Sequence, residues 1–265
     1  MPEKVMQPMD AIQKQATEDK KKNSWDDTLK TIIYAVVLAL LFRSFLYEPF
    51  HIPSGSMKSN LLVGDYLFVS KFSYGYSRYS FPLGLPPFEG RIFASKPQRG
   101  DVIVFRYPKN PRVDYIKRLV GMPGDAIQMK DGRVYINGTM LDRHYVDQYL
   151  DEGDERFDRK PYEIARFEET LPEGRKITIL KEKDYYAGDD TPVMVVPPGH
   201  YFFLGDNRDN SRDSRFMDEV GFVPEQNLVG RAELIFCSVE GGGSCFNPLN
   251  WFGQMRLDRF LTVIR

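Results

Sequence analysis

Two hydroxyls stand two residues apart in His51-Ile52-Pro53-Ser54-Gly55-Ser56-Met57-Lys58, where a proline and a glycine force a shaped, non-helical backbone. Residues two apart on an extended segment point the same way, which places Ser54 and Ser56 to face one pocket. The plainer reading is a Ser/Gly/Pro juncture with no chemistry. A serine attacks at neutral pH only when a base sits beside it. Histidine is the usual base, and the chain has three: His51, His144 and His200. His51 lies five residues before Ser56 in a proline-stiffened segment, an awkward reach for a hydrogen bond. His200 follows Pro-Pro-Gly as a turn residue, and His144 lies in a charged stretch. Nor does the chain carry a Gly-x-Ser-x-Gly elbow.

A neutral lysine can take the place of the histidine. Lowering its pKa from about 10.4 to about 8 takes roughly 3 kcal/mol of desolvation and local charge effects, which calls for a strand among apolar neighbours. Lys117 shares a strand face with Tyr115 and Leu119, while Arg118 points to the other side. Lys71 shares a face with Leu67 and Val69. Each also reads as an ordinary edge or snorkelling lysine, and pattern alone does not choose between them. The third constellation runs Gly205-Asp-Asn-Arg-Asp-Asn-Ser211, then Arg212-Asp-Ser-Arg215. As a calcium loop it would need Gly sixth and Glu twelfth, but Ser211 and Met217 stand there. A rigid Asx-turn with internal Asp–Arg pairs fits better, and rigidity suits residues that orient a catalytic group. A metal site needs about four ligands and no Cys/His cluster supplies them, so neither metal nor other cofactor is expected.

The elements that must hold these residues begin with a membrane-length apolar run. Residues 1–30 form a polar tail, loose or a frayed helix, and residues 31–48 form the anchor. Its run 31–47, seventeen residues of helix, reaches about 25 Å, slightly short of a hydrocarbon core of about 30 Å. Trp25, Tyr47 and Phe50 suit the interfaces, and Arg43 can snorkel outward. Bulky Phe45-Leu46-Tyr47 and charged Glu48 stand where a cleavable signal sequence needs small residues, so the anchor is read as uncleaved. Lys20, Lys21, Lys22 and Lys30 precede it, and the nearest lysine after it is Lys58, so the positive-inside rule puts the N-terminus in the cytoplasm. Residues from about 50 onward then lie outside.

The chain of 265 residues is 42% hydrophobic and 28% charged with a formal net charge of −1, a globular composition with no electrostatic footprint for nucleic acid. Short apolar runs bounded by turn residues read as strands: 66–72, 102–107, 115–120, 200–204 and 228–239. A hairpin joins 126–130 to 133–136 across Asp131-Gly132, and Asn137-Gly138 marks a further turn. The expected fold is all-β, an antiparallel-sheet core over 49–141 and 191–265 with a smaller β-rich subdomain inserted at 142–190, behind a single N-terminal transmembrane helix. The apolar loop 73–98, with its Phe81–Phe88 stretch, and the C-terminal Asn250-Trp-Phe-Gly and 260–264 fit either a lipid surface or packing on the sheet. Cys237 and Cys245 flank a glycine-rich loop, and spacing leaves open whether they pair.

Four blocks, spread from about residue 43 to 235, resemble the bacterial type I signal peptidases in that family's order. They are Pro53-Ser-Gly-Ser-Met57 with Gly64-Asp65; Arg99-Gly-Asp-Val-Ile-Val-Phe105; Asp114-Tyr-Ile-Lys-Arg-Leu-Val-Gly121 with Pro123-Gly-Asp125; and Gly205–Ser211 with Asp213-Ser-Arg215. The resemblance implies a Ser/Lys-dyad endopeptidase that removes signal peptides from exported preproteins at the outer face of the cytoplasmic membrane. By the family's motifs Ser56 is the nucleophile and Lys117 the general base. Ser54 Oγ and the Ser56 N–H form the oxyanion hole, Ser211 orients Lys117, and Asp206, Asp213 and Arg215 support the loop. It also implies substrate bound as an added strand, with shallow pockets for small residues before the cut. The implied partners are preprotein signal peptides, membrane lipid and the protein-export machinery. The family usually has Pro-Thr after Ser-Met, whereas this chain reads Lys58-Ser59, which removes a proline and adds a charge near the nucleophile. Two other classes compete. A self-cleaving Ser/Lys repressor-type protease fits poorly with an anchor and no DNA-binding segment, and a non-catalytic membrane-tethered β-scaffold would keep the fold without the dyad.

Overall fold

The computed structural model describes residues 9–81, 84, 87–153, 160–182, 185–251 and 253–265. Positions 82, 83, 85 and 86 of the Phe81–Phe88 stretch, position 252, and residues 1–8 of the expected tail lie outside them. The chain divides into two units, Met1–Arg43 and Ser44–Arg265.

Helix α1 runs Met9–Phe45, and within it Asp27–Phe45 is long and apolar enough to cross a membrane. The tail is thus helical from Met9, and the helix stops before the expected end of the anchor. The cause is local: Pro49 has no N–H to give a helix and drives Glu48 into extended backbone, so Tyr47 already opens a strand.

The second unit is built of strands joined by short turns. In chain order they are β1 (Tyr47–His51), β2 (Asp65–Ser70), β3 (Val102–Arg106), β4 (Asp114–Gly121), β5 (Ala126–Lys130), β6 (Arg133–Ile136) and β7 (Thr139–Met140). Then come β8 (Asp142–Asp151), β9 (Tyr162–Thr170), β10 (Lys176–Lys181), β11 (Met194–Val195), β12 (His200–Leu204), β13 (Val223–Pro224), β14 (Leu228–Ser238) and β15 (Thr262–Val263). The main sheet has the order β1-β2-β14-β3-β4-β12-β13, with β15 beside β14. A three-stranded sheet, β10-β9-β8, is made wholly from 142–181, and a four-stranded one is β11-β5-β6-β7. The pairings of these strands are antiparallel, as the all-β reading requires.

The three sheets share apolar contacts. Val120 and Phe202 from the main sheet, Ile127 and Val134 from the four-stranded sheet, and Ile177 and Ile179 from the three-stranded one bury into a single cluster. A second cluster takes Ile52, Met57 and Leu61 from the β1–β2 connection and packs them on Leu67, Val69, Val102 and Val104. Cys237 and Cys245 form a disulfide, which answers what their spacing left open.

The two glycine turns behave as their sequences suggest. Asp131 and Gly132 have φ of 50° and 67°, and Asn137 and Gly138 have 53° and 80°, the positive-φ pairs of primed hairpin turns. Their surroundings differ, because a Cβ on Gly132 would meet Lys181 Cε at 2.8 Å and Asp189 Oδ1 at 3.3 Å, while one on Gly138 meets nothing within 4 Å. Gly138→Ala should therefore cost only the left-handed backbone term, about 1–2 kcal/mol. Gly132→Ala should cost more, read as a larger fall in Tm. Equal falls would show that the Lys181–Asp189 contact gives way freely.

Candidate active site

Antiparallel β1 and β2 end at the pair His51↔Tyr66, and the chain between them carries the two serines. Backbone bonds close this connection at its base, from Ile52 N to Asp65 O at 2.9 Å and from Gly64 N to Ile52 O at 3.0 Å. Within it Ser54 is extended, but Gly55–Met57 winds into a 3-10 turn closed by Lys58 N to Gly55 O at 3.2 Å. The serines therefore do not lie on one strand as expected. Ser56 is the middle residue of the turn, buried Met57 pins it to the core, and the two Oγ atoms still come within 3.5 Å.

Strand β4 brings the lysine. Lys117 stands opposite Ile103 of β3, and its Nζ lies 2.6 Å from Ser56 Oγ and 3.0 Å from the Ile116 carbonyl. Ser56 is 7% exposed and Lys117 is 4% exposed. Burial pulls the Lys117 pKa down to about 8; Asp213 and Asp206 draw it back upward, and Arg215 lowers it further. A lysine so placed is substantially neutral near pH 8, and a 2.6 Å contact is short enough to pass a proton. The other lysine has a different partner. Lys71 Nζ lies 2.7 Å from Glu48 Oε2 and donates to the Ser80 carbonyl. Geometry thus separates the two lysines that pattern left tied: one meets a serine hydroxyl, the other a carboxylate. Among the histidines, His144 meets Asp142, His200 Nδ1 lies against the Pro198 carbonyl, and His51 leans on the Tyr66 ring.

The loop 205–215 forms the opposite wall. Asn207 donates its N–H to Ser56 O at 3.1 Å and its amide to Gly55 O at 3.2 Å. Asp213 accepts from Gly205 N at 3.0 Å and grips Arg215 through Nε at 2.8 Å and Nη2 at 2.9 Å. Burial raises the Asp213 pKa, but the Arg215 guanidinium, the Gly205 N–H and the Ser211 hydroxyl together hold the carboxyl below the usual range. Asp206 accepts both Nε and Nη2 of Arg118 at 2.7 Å, and Asn60 Nδ2 at 2.7 Å. Gly205 is required for space: a Cβ there would lie 2.2 Å from Ser211 Oγ and 2.7 Å from Ser56 O. Ser211 is buried in this contact. Its hydroxyl lies near enough to Asp213 to favour the carboxylate, yet it meets hydrogen-bonding geometry with neither Asp213 nor Lys117.

Of the residues the sequence singled out, the fold brings Ser54, Ser56, Lys117, Ser211, Asp206, Asp213 and Arg215 around one turn. Asn60 went unmarked, and Gly205, Asn207 and Arg118 stood in the motifs without an assigned role. Arg118 had a signal in strand alternation, which sets it opposite Lys117 and in need of a buried anion.

The sequence model of the family described as signal peptidase, peptidase S26, matches residues 25–237. Signal peptidase I of Rickettsia canadensis (strain McKiel) is 44% identical over 219 residues, covering 80% of this chain and 79% of its own. That of Rickettsia massiliae (strain Mtu5) is 42% identical over 234 residues, with coverage of 84% and 85%. A solved signal peptidase I from Enterococcus faecalis V583 is 31% identical and covers 52% of this chain and 97% of its own, with a TM-score of 0.30. The family and relative matches define a serine-type endopeptidase, a hydrolase, held to a membrane by its apolar N-terminal helix. The chain belongs to the signal peptidase family, peptidase S26.

The buried lysine has a thermodynamic signature. With its pKa about 8 when folded against about 10.4 unfolded, the unfolded chain binds more protons between those values, so stability rises with pH there. Below pH 8 the buried ammonium costs about 3 kcal/mol relative to a neutral group. Lys117→Met should therefore unfold at higher denaturant concentration than the parent at pH 7, with the gap closing between pH 8 and 10.4. A gap independent of pH would refute the lowered pKa.

Proposed function

We propose that the protein removes N-terminal signal peptides from exported preproteins, with Ser56 as nucleophile and neutral Lys117 as general base. The observation that carries this reading is the buried 2.6 Å contact between Ser56 Oγ and a lysine whose pKa is about 8. Neutral Lys117 accepts the Ser56 proton as Oγ attacks the scissile carbonyl carbon. The resulting ammonium gives that proton to the departing amine, leaving an acyl-serine. Water, deprotonated by Lys117, then attacks the ester carbonyl, and the acid product leaves as Ser56 recovers its proton.

The oxyanion needs donors fixed before the reaction. Ser54 Oγ, 3.5 Å from Ser56 Oγ, is one. The Ser56 N–H is the other, and it lies in the opening turn of a 3-10 segment, whose first amides have no acceptor within the segment. A neutral lysine amine has two N–H donors and one lone pair. The lone pair faces Ser56 and one N–H serves the Ile116 carbonyl, which leaves one N–H; the Ser211 hydroxyl, buried without a hydrogen-bond partner, is assigned as the group that turns to accept it and orient the amine. Asp206, Asp213 and Arg215 brace the loop that carries Ser211. Substrate binds as an added strand, with small residues before the cut.

The same reading puts residues 1–30 in the cytoplasm and the catalytic unit on the outer face of the cytoplasmic membrane. The core is 49–141 with 191–265, and 142–190 is the inserted subdomain. Preprotein signal peptides, membrane lipid and the protein-export machinery are its partners; nucleic acid is not, and no cofactor takes part.

Detergent-solubilised full-length protein should cleave a preprotein after an Ala-x-Ala-like site. Ser56→Ala and Lys117→Ala should each lose at least about a thousandfold in rate while remaining folded. The kcat/KM of the parent should rise tenfold per pH unit below about pH 8 and level off above it, as expected for a base that must be neutral. Full activity in Lys117→Ala would remove the assigned base, and no cleavage by the folded parent would favour the β-scaffold. Protease added to intact spheroplasts should digest the catalytic unit and spare a tag at the N-terminus; the opposite pattern would reverse the orientation.

A further inference from the structure

Lys58 follows Met57 directly, and it sits where it can act on the turn that carries Ser56. Its N–H closes that turn, and its side chain doubles back over it, so that a Cβ on Gly55 would meet Lys58 Cε at 3.2 Å and Cδ at 3.3 Å. The ammonium then reaches both carboxylate oxygens of Asp151, at 2.7 and 2.9 Å. Asp151 is the last residue of β8, held opposite Tyr162 of β9, and its Oδ1 also accepts the Gly153 N–H at 2.9 Å. The side chains are 15% exposed for Lys58 and 4% for Asp151. An ion pair this shielded has little freedom to wander, because separating it strands a charge away from water.

The turn is gripped from two sides. Asn207 holds its carbonyls from the 205–215 loop, and the Lys58–Asp151 pair ties its far end to the three-stranded sheet. We propose that Lys58 and Asp151 are a positioning pair for the reaction: together they fix the rotation of the Gly55–Met57 turn and so keep Ser56 Oγ on Lys117 Nζ. This rests on the reading of Ser56 and Lys117 as the catalytic dyad. The pair works through geometry and not through charge on the base, since the charges acting on Lys117 are those of Asp213, Asp206 and Arg215. Misplacing a nucleophile by an ångström can lower a rate by on the order of a hundredfold, so a tether of this kind has a measurable consequence.

The test is steady-state cleavage of a preprotein by the solubilised full-length chain carrying Lys58→Ala, Asp151→Ala, both together, or Lys58→Arg, with Tm recorded for each. Each single alanine variant should lose about ten- to a hundredfold in kcat with KM within about twofold and an unchanged pH midpoint. The double variant should be no worse than the poorer single, and Lys58→Arg should recover most of the rate. Unchanged kcat in the singles, losses that multiply in the double, a shifted pH midpoint, or an effect confined to KM would overturn the proposal. Should the single variants fail to fold, the exchanged pair Lys58→Asp with Asp151→Lys is the deciding measurement: recovery of folding and kcat supports the tether, and a folded but inactive exchange refutes it. Ser56→Ala run alongside separates the two levels. Full activity there sinks the dyad itself, whereas its loss with Lys58→Ala unaffected sinks only the positioning pair.

Discussion

A lysine ammonium taken out of water costs several kcal/mol unless it finds an anion or gives up its proton. Strand β4 imposes this choice on two adjacent cations at once. Alternation sends Lys117 and Arg118 to opposite faces, and both are buried. Arg118 finds an anion: Asp206 accepts it through two parallel bonds of 2.7 Å, a geometry suited to a guanidinium. Lys117 meets a hydroxyl and a carbonyl, neither of which is an anion, and burial therefore lowers its pKa. Two carboxylates are near enough to oppose that lowering, Asp206 and Asp213. Each is committed to an arginine, Arg118 in one case and Arg215 in the other. Arg215 in turn opposes the two carboxylates and lowers the Lys117 pKa.

This arrangement explains why the 205–215 loop is so closely fitted. It must bring Asp206 and Asp213 to their arginines, pack Ser211 against Gly205, and let Asn207 hold the serine turn. Gly205 makes these demands compatible, since Ser211 and the Ser56 carbonyl occupy the space that any side chain there would need. The loop is fastened behind as well, through Leu180 N to Asp206 O at 2.8 Å and Lys181 Nζ to Asp209 Oδ1 at 2.7 Å, so β10 of the three-stranded sheet backs the site. Residues 176–181, part of the stretch read in sequence as an inserted subdomain, thereby back the loop that faces Ser56.

What could be read from the sequence was what is local. The β5–β6 hairpin was legible because Asp-Gly accepts two positive φ values between alternating strands. The face of Lys117 was legible because strand alternation is fixed at two residues. The 3-10 turn at Gly55–Met57 was not, since Pro-Ser-Gly-Ser is equally at home in extended chain, and the turn is held by Asn207 from far along the sequence. Lys71 stayed tied with Lys117 for the same reason: Glu48 sits on β1, and only the β1–β2 pairing brings it alongside. The end of the anchor was in principle readable, because Pro49 forbids helix there.

Buried ion pairs are poor evidence that a fold is being stabilised, since well-packed apolar groups often do as well. The number of them near this site therefore needs another reason. Arg118–Asp206 and Arg215–Asp213 both border the lysine, and both involve groups that act on its charge. Replacing either pair with hydrocarbon could keep the packing, yet it would remove the donor and acceptor geometry that fixes the loop and the balanced field that Lys117 experiences. A core built only for stability would also have no use for a lysine whose ammonium is unpaired by any carboxylate. The polar interior is better understood as the cost of holding one amine near neutrality beside one hydroxyl, with the surrounding apolar clusters supplying the stability that this arrangement gives up.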